Sequence, residues 1–356
     1  MLKEEYNNTL RDFFRKVPNI DLAYIKSLTN RTGILQHAKF NIPDYHHGYC
    51  LDDNSRALLL ILMASQELDE PIQDDLISTY LSYIFYSQTE SGYFINFMGY
   101  DLKFLETIGS EDSIGRTIWS LGYLIGHHKF KKFHAIAKEM FDKAINHVIN
   151  FKSIRAISYS VLGILYFLNT YPNQQSQLNQ INKLLSFLED EFNAAAEDNW
   201  HWFEEIISYD NAIIPLSLLR AGRFFNIERF KNIGIKSAKF LDNILFKNNY
   251  LSLIGNENWL AKNSNFSNVG QQPIEVSSII LLNKELFLIT SENEYLEKIK
   301  LSFLWFLGIN DHNYCLFNFE NMACYDGLEP YGINGNMGAE SNIAFWISYI
   351  HVKNVL

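Results

Sequence analysis

The stretch "GYCLDDNSRALLLILMA", residues 48–64, sets two adjacent carboxylates, Asp52 and Asp53, and an arginine, Arg56, directly ahead of an unbroken apolar run. Charge at the mouth of a buried helix has three readings. It can be helix capping, in which a carboxylate satisfies free N–H groups at the positive helix end. It can be a carboxylate–magnesium site for a diphosphate, or one wall of a sugar pocket. The diphosphate reading needs a third acid in a DDxxD pattern. Arg56 occupies that position, and no second metal box follows.

The same design recurs along the chain. Six segments read as a polar loop followed by an apolar helix: 51–66, 110–128, 157–171, 208–225, 271–289 and 338–352, spaced about 47 to 67 residues apart. Between them lie helices with one polar face, at 72–87, 130–150, 175–192, 227–245 and 292–307, and a further helix near 3–16 precedes the first. Helices apolar on most of their surface belong inside, and one-sided helices outside. Six of each predict an all-α fold, an (α/α)6 barrel, with residues 1–356 as one domain. An open solenoid would use the same local pattern. The repeat, however, is longer than the ~34 residues of a tetratricopeptide unit. The inner helices are expected to begin near Asp53, Asp112, Ser158, Asp210, Pro273 and Glu340, all on one rim. Loops such as "SGYFINFMGYDLKF" and "DNWHWFEEIISYD" alternate as short β-hairpins do, and belong over that rim.

Composition narrows the function. Hydrophobic residues make up 47% of the 356, so a folded interior is expected, and the net charge of -10 disfavours nucleic acid or an anionic membrane surface as partner. A neutral sugar is compatible with it. No run approaches ~18 apolar residues, so no membrane span is expected. The charged start lacks the apolar core of a signal peptide, and three cysteines in no CxxC pair form no disulfide framework, so the expected location is cytoplasmic. The ten histidines show no HExxH or paired spacing, so no metal is expected. Gly332, Gly335 and Gly338 are spaced GxxGxxG, not as a dinucleotide fingerprint, and no cofactor is expected.

Several polar clusters are candidate site elements. Asp52 with Arg56, and Asp112 with Arg116, share an i,i+4 spacing that would bring each pair together on one helix face. In that reading the local pair fixes Asp53, which faces the barrel axis as an anion and accepts from a sugar hydroxyl. "DNWHWFEEIISYDN" (198–211) sets Glu204, Glu205 and Asp210 beside Trp200, His201 and Trp202. Two adjacent glutamates near aromatic walls can keep one proton near neutrality, as a general acid requires. "CYDGLEPYGINGNMGAES" (324–341) supplies Asp326 and Glu340 as candidate bases, and "QQPIE" (271–275) supplies Gln272 and Glu275 as hydroxyl ligands. Trp200, Trp202, Trp259 and Tyr331 offer stacking faces.

The set "GYCLDDNSRA", "GSEDSIGRTIWSLG", "WFEEIISYDNAIIPLSLL", "QQPIE" and "YDGLEPYGINGNMGAES" resembles a bacterial family of six-hairpin, (α/α)6-barrel glycosidase-like proteins, over residues from about 36 to 350. Relatives in that family occur alone or joined to glycosyltransferase domains and are associated with mannoside-processing genes. The resemblance implies a carbohydrate context, with a glycosyltransferase or glycoside phosphorylase as partner. Three functions follow. The first is hydrolysis or phosphorolysis of a short oligosaccharide, with Glu204 or Glu205 as acid and Glu340 or Asp326 as base. The second is 2-epimerisation or isomerisation of a sugar, with His201 and His312 facing each other across the centre. The third is non-catalytic glycan binding beside a glycosyltransferase.

Overall fold

Apolar side chains cover most faces of six helical segments, and closing them into a ring buries all of those faces at once. A computed structural model describes residues 2–246 and 249–356. Its inner helices are α3 (Leu51–Met63), α5 (Glu111–Gly126), α7 (Ile154–Thr170), α9 (Ile213–Phe225), α11 (Pro273–Thr290) and α13 (Ala339–Lys353). Their starts fall within four residues of the expected ones. The outer helices are α1 (Leu2–Lys16), α4 (Glu70–Ser87), α6 (His134–Ala144), α8 (Gln175–Ala195), α10 (Glu228–Leu245) and α12 (Glu294–Leu304), with a short α2 (Ala23–Leu28). Among the described residues no helix is long and apolar enough to cross a membrane.

Each inner helix packs on the next, and α13 packs back on α3. That last contact distinguishes a closed barrel from an open superhelix. The chain ends lock it: Phe13 and Phe14 of α1 pack on Phe345 and Tyr349 of α13, and the Tyr349 hydroxyl donates to the Val17 carbonyl at 2.9 Å. The tightest seam is α5 against α7. A Cβ at Gly122 would collide with the Gly163 carbonyl oxygen, so "WSLGYL" and "VLGILY" meet backbone to backbone.

The two ends of the barrel differ. Connections from inner to outer helix are short; Asn226 and Ile227 alone join α9 to α10, with Asn226 in the left-handed conformation that ends a helix. Connections from outer to inner helix, apart from the nine residues between α6 and α7, are long, and they hold every strand of the described residues. β1 (Ala38–Lys39) pairs with β2 (Ile42–Pro43), β7 (Phe317–Asn318) with β8 (Ala323–Cys324), and β9 (Gly327–Glu329) with β10 (Gly332–Asn334), all as local antiparallel hairpins. β3 (Tyr49–Cys50) pairs with β4 (Phe97–Met98), and β5 (Ile206–Ile207) with β6 (Leu260–Ala261). These two pairs stitch separate rim loops together, which stiffens the rim over the N-terminal ends of the inner helices.

Candidate active site

A residue one or two places ahead of each acid pair does the capping. The Cys50 sulfur accepts from the Asp53 N–H at 3.4 Å, and the Ser110 hydroxyl accepts from the Ser113 N–H at 3.1 Å. The acids are thereby left to reach across the barrel, and they do. Arg116 donates to Asp52 on the neighbouring helix at 2.8 Å, while Arg56 bridges Asp53 at 3.0 Å and Glu340 at 2.8 Å. The expected local pairs Asp52–Arg56 and Asp112–Arg116 are replaced by these contacts. An arginine one turn into an inner helix reaches a neighbouring helix start as easily as its own. Asp112 instead accepts from the Ser153 and Tyr209 hydroxyls, and Glu111 accepts from the Lys152 and Ser153 N–H groups at 2.7 Å each.

A second chain of contacts runs on around the ring. The other Arg116 nitrogen donates to the Tyr159 hydroxyl at 2.8 Å, and its guanidinium lies 4.6 Å over the Tyr159 ring. That hydroxyl donates to Asp210 Oδ2. Glu275 accepts from the backbone N–H groups of Asp210 and Asn211, holding the turn that enters α9, where Asp210 takes φ 43°. Asp210 is 4% exposed, and its Oδ1 has no hydrogen-bond partner.

These groups surround two adjoining spaces. A mouth of about 460 Å³ is lined by Asp52, Asp53, Gln272, Asp326, Asn336 and His37, among others. Below it a smaller cavity of about 40 Å³ is walled by Trp119, Tyr159, Asp210 and aliphatic side chains of α3, α9, α11 and α13. Arg56 and Glu340 line both, so their ion pair marks the junction.

Burial separates the carboxyls electrostatically. Asp53 is pushed up to about 6, chiefly by desolvation, with Glu340 and Asp52 adding to the rise and Arg56 opposing it. For Asp52, desolvation also acts upward, but the Arg116 and Arg56 charges outweigh it and hold the group below its ordinary value. Glu275 is raised to about 8 by desolvation and by Asp210. The expectation that Asp53 stands as a simple anion is thus revised: Cys50 caps the helix, and the buried Asp53 retains a proton more readily than an ordinary aspartate.

The other sequence candidates divide. Asp53, Arg56, Arg116, Asp210, Gln272, Asp326 and Glu340 line the two spaces. Asp112 and Glu275 support them from behind. Asp326 accepts from the Gly338 N–H at 2.6 Å and the Ser341 hydroxyl at 2.8 Å, so it caps α13. Glu204 and Glu205 line neither space. Glu204 pairs with Arg155 at 2.9 Å, and Glu205, with its side chain 71% exposed, reaches Lys262 at 3.3 Å. The β5 strand that follows them pairs with β6, which turns the segment outward. Trp200 donates to the Glu204 carbonyl and packs on Phe240 of the outer α10; Trp202 is fully buried, Trp259 tilts on Tyr209, and Tyr331 is 79% exposed beside the β9–β10 turn. None of the four lines the two spaces. His201 also faces Phe240, and neither it nor His312 lines either space. Sequence reasoning missed Tyr159, Trp119 and Asn336. The first two look like ordinary core aromatics, because Trp119 lies midway along α5 and Tyr159 in the second turn of α7, inside unbroken apolar helices.

No protein-family model and no curated protein matches the chain. Solved structures do match in fold. A sugar epimerase from a ruminal bacterium is 14% identical with a TM-score of 0.72, covering 100% of this chain and 98% of that one. The cellobiose 2-epimerase of Spirochaeta thermophila DSM 6192 is 10% identical with a TM-score of 0.73, covering 99% and 97%. The GH76A alpha-1,6-mannanase of Salegentibacter sp. HEL1_6 is 11% identical with a TM-score of 0.64, covering 99% and 100%. These likenesses, end to end at such low identity, establish the fold: the chain is an (α/α)6 barrel of the kind shared by sugar epimerases and mannanases.

Proposed function

We propose that the protein is a carbohydrate-active enzyme that cleaves a glycosidic bond, by hydrolysis or phosphorolysis, with Asp53 and Glu340 as the carboxylate pair. The observation that carries this is their joint grip on Arg56 at the junction of mouth and inner cavity. Two carboxylates on one guanidinium stand apart by roughly its width and two hydrogen bonds, comparable to the ~5–9.5 Å used in glycoside cleavage. Their environments differ as an acid and a base require: Asp53 is buried and raised to about 6, whereas the Glu340 side chain is 36% exposed. In the hydrolytic form, protonated Asp53 gives its proton to the leaving glycosidic oxygen as the C1–O bond breaks. Glu340 takes a proton from the water whose oxygen bonds to C1, and solvent exchange restores both groups. In phosphorolysis a phosphate oxygen attacks and no base is needed. Asp210, with a free buried oxygen, accepts from a sugar hydroxyl, and Trp119 offers an apolar ring face.

Related folds support a carbohydrate context. The Salegentibacter mannanase, for example, has an inactive variant in which two consecutive aspartates are replaced by alanine. The epimerase reading draws on the same comparisons but lacks its histidine pair, since His37 is the one histidine lining either space among the described residues. A glycosyltransferase or glycoside phosphorylase partner, implied by the sequence resemblance, would hand over or receive the oligosaccharide.

The test is a panel of manno- and gluco-oligosaccharides, with and without phosphate, followed by proton NMR in deuterated water. Bond cleavage that falls at least a hundredfold in both Asp53→Asn and Glu340→Gln supports the reading. Deuterium incorporation at C2 without cleavage would replace it with epimerisation, and binding without turnover would replace it with a glycan-binding role.

A further inference from the structure

The opposite end of the barrel holds a second polar space. A cavity of about 290 Å³ opens between the C-terminal halves of α7, α9 and α11, lined by Tyr166, Arg220, Arg223, Lys284 and Glu285 among others. Its charges do not balance. Glu285 is 2% exposed and is gripped by Arg220 at 3.2 Å and Arg223 at 2.5 Å. One carboxylate therefore serves two guanidinium groups. The remaining Arg220 contact is to the neutral Tyr166 hydroxyl at 3.0 Å. Lys284 has no carboxylate within ion-pair distance among the described residues; its ammonium donates to His351 Nδ1 at 3.1 Å. His351 is held neutral, its value lowered to about 3 by desolvation and by the Lys284 and Arg220 charges. Three cations thus face one anion.

Helix C-termini carry partial negative charge, but that influence fades within the last turn. Arg223, in the last turn of α9 and half exposed, is matched by Glu285 and the helix end. Arg220 lies five residues before the end of α9 and Lys284 six before the end of α11, so these two charges are the surplus. Desolvation and the Arg220 charge lower the Lys284 value, the response of an ammonium whose charge is not fully matched.

We propose that this far-end cavity binds a phosphoryl group, either inorganic phosphate or a sugar phosphate. The two surplus positive charges match the charge of a phosphate dianion. Guanidinium groups fit phosphate oxygens in forked geometry, and Lys284 adds a point charge. The space is separate from the Arg56–Glu340 junction, so the proposal does not depend on the catalytic reading.

Isothermal titration with inorganic phosphate, and separately with a hexose 6-phosphate, at constant ionic strength set by chloride, tests it. Saturable binding is expected, weakened at least tenfold in Lys284→Met and in Arg223→Met while circular dichroism stays native. Preference for the ester identifies a sugar phosphate as ligand, and equal or tighter binding of the inorganic ion identifies free phosphate. Failure to saturate with either ligand overturns the proposal. So does binding that survives both substitutions, and binding that is lost instead in Arg56→Met assigns the phosphate to the mouth.

Discussion

Arg116 and Asp52 join two consecutive inner helices at 2.8 Å, and no contact of that kind links Arg116 to Asp112 four residues before it. The cross-helix pair ties α3 into the next part of the ring, because Arg116 also holds the Tyr159 hydroxyl, which donates to Asp210, and pairs with Asp210 itself at 4.0 Å. Removing one partner leaves the other charge buried. Asp52→Ala is therefore expected to cost about 3–5 kcal/mol. Asp112→Ala loses two hydroxyl donors and is expected to cost about 1–3 kcal/mol. Urea denaturation of both variants checks the ranking, and equal losses would mean that Arg116 finds another partner.

The catalytic assignment separates residues that look alike in sequence. Asp53→Asn and Glu340→Gln should abolish cleavage with the fold retained. Glu205→Gln, on the exposed side of the β5–β6 pair, should keep the wild-type rate. Steady-state rates on the best substrate from the panel decide this. A hundredfold loss in Glu205→Gln would return the general-acid role to the segment 198–211.

Stability should fall as pH rises through the neutral range. Glu275 is raised to about 8 in the folded protein against an ordinary 4.5, and Asp53 to about 6 against 3.8. Below the lower values both groups are protonated in either state. Between the lower and higher values only the unfolded chain ionises, so unfolding releases protons and rising pH favours it. Glu275→Gln keeps an acceptor for the Asp210 N–H and cannot ionise. Chemical denaturation in steps from about pH 5 to 8 should show a shallower decline in that variant. An identical slope would show that Glu275 titrates normally.

At the α5–α7 seam, Gly122→Ala forces a methyl group into the Gly163 carbonyl. Overpacking of this kind costs about 1–3 kcal/mol. A lowered melting temperature by calorimetry is expected, with a further drop in activity because α5 carries Arg116 and α7 carries Tyr159.

We propose that residues 1–356 form one folding unit, because α1 and α13 close the ring between the chain's two ends. Thermal unfolding followed by far- and near-ultraviolet circular dichroism should give one coincident transition. Two resolved transitions would divide the chain into separate domains.

The sequence by itself determined the helical repeat. Apolar cover on nearly every face marked six segments as the inner layer, and the periodicity placed each inner helix start within four residues. An open solenoid shares that pattern, so closure into a ring was decided by the packing of α13 on α3. The sequence also marked the rim, because long polar loops precede five of those six helices, α7 being the exception. Tertiary structure decided which acids belong together. Within "LDDNSR" the local spacing favours Asp52 with Arg56, but closure brings Glu340 and Arg116 to the same depth, and Arg56 turns to Asp53 and Glu340 instead. Glu204 and Glu205 carry the chemistry of a general acid in sequence, yet strand pairing between two rim loops faces them away from the cavity. Which side of a loop meets the cavity is set by contacts between segments far apart in the chain, and a one-dimensional pattern does not contain those contacts.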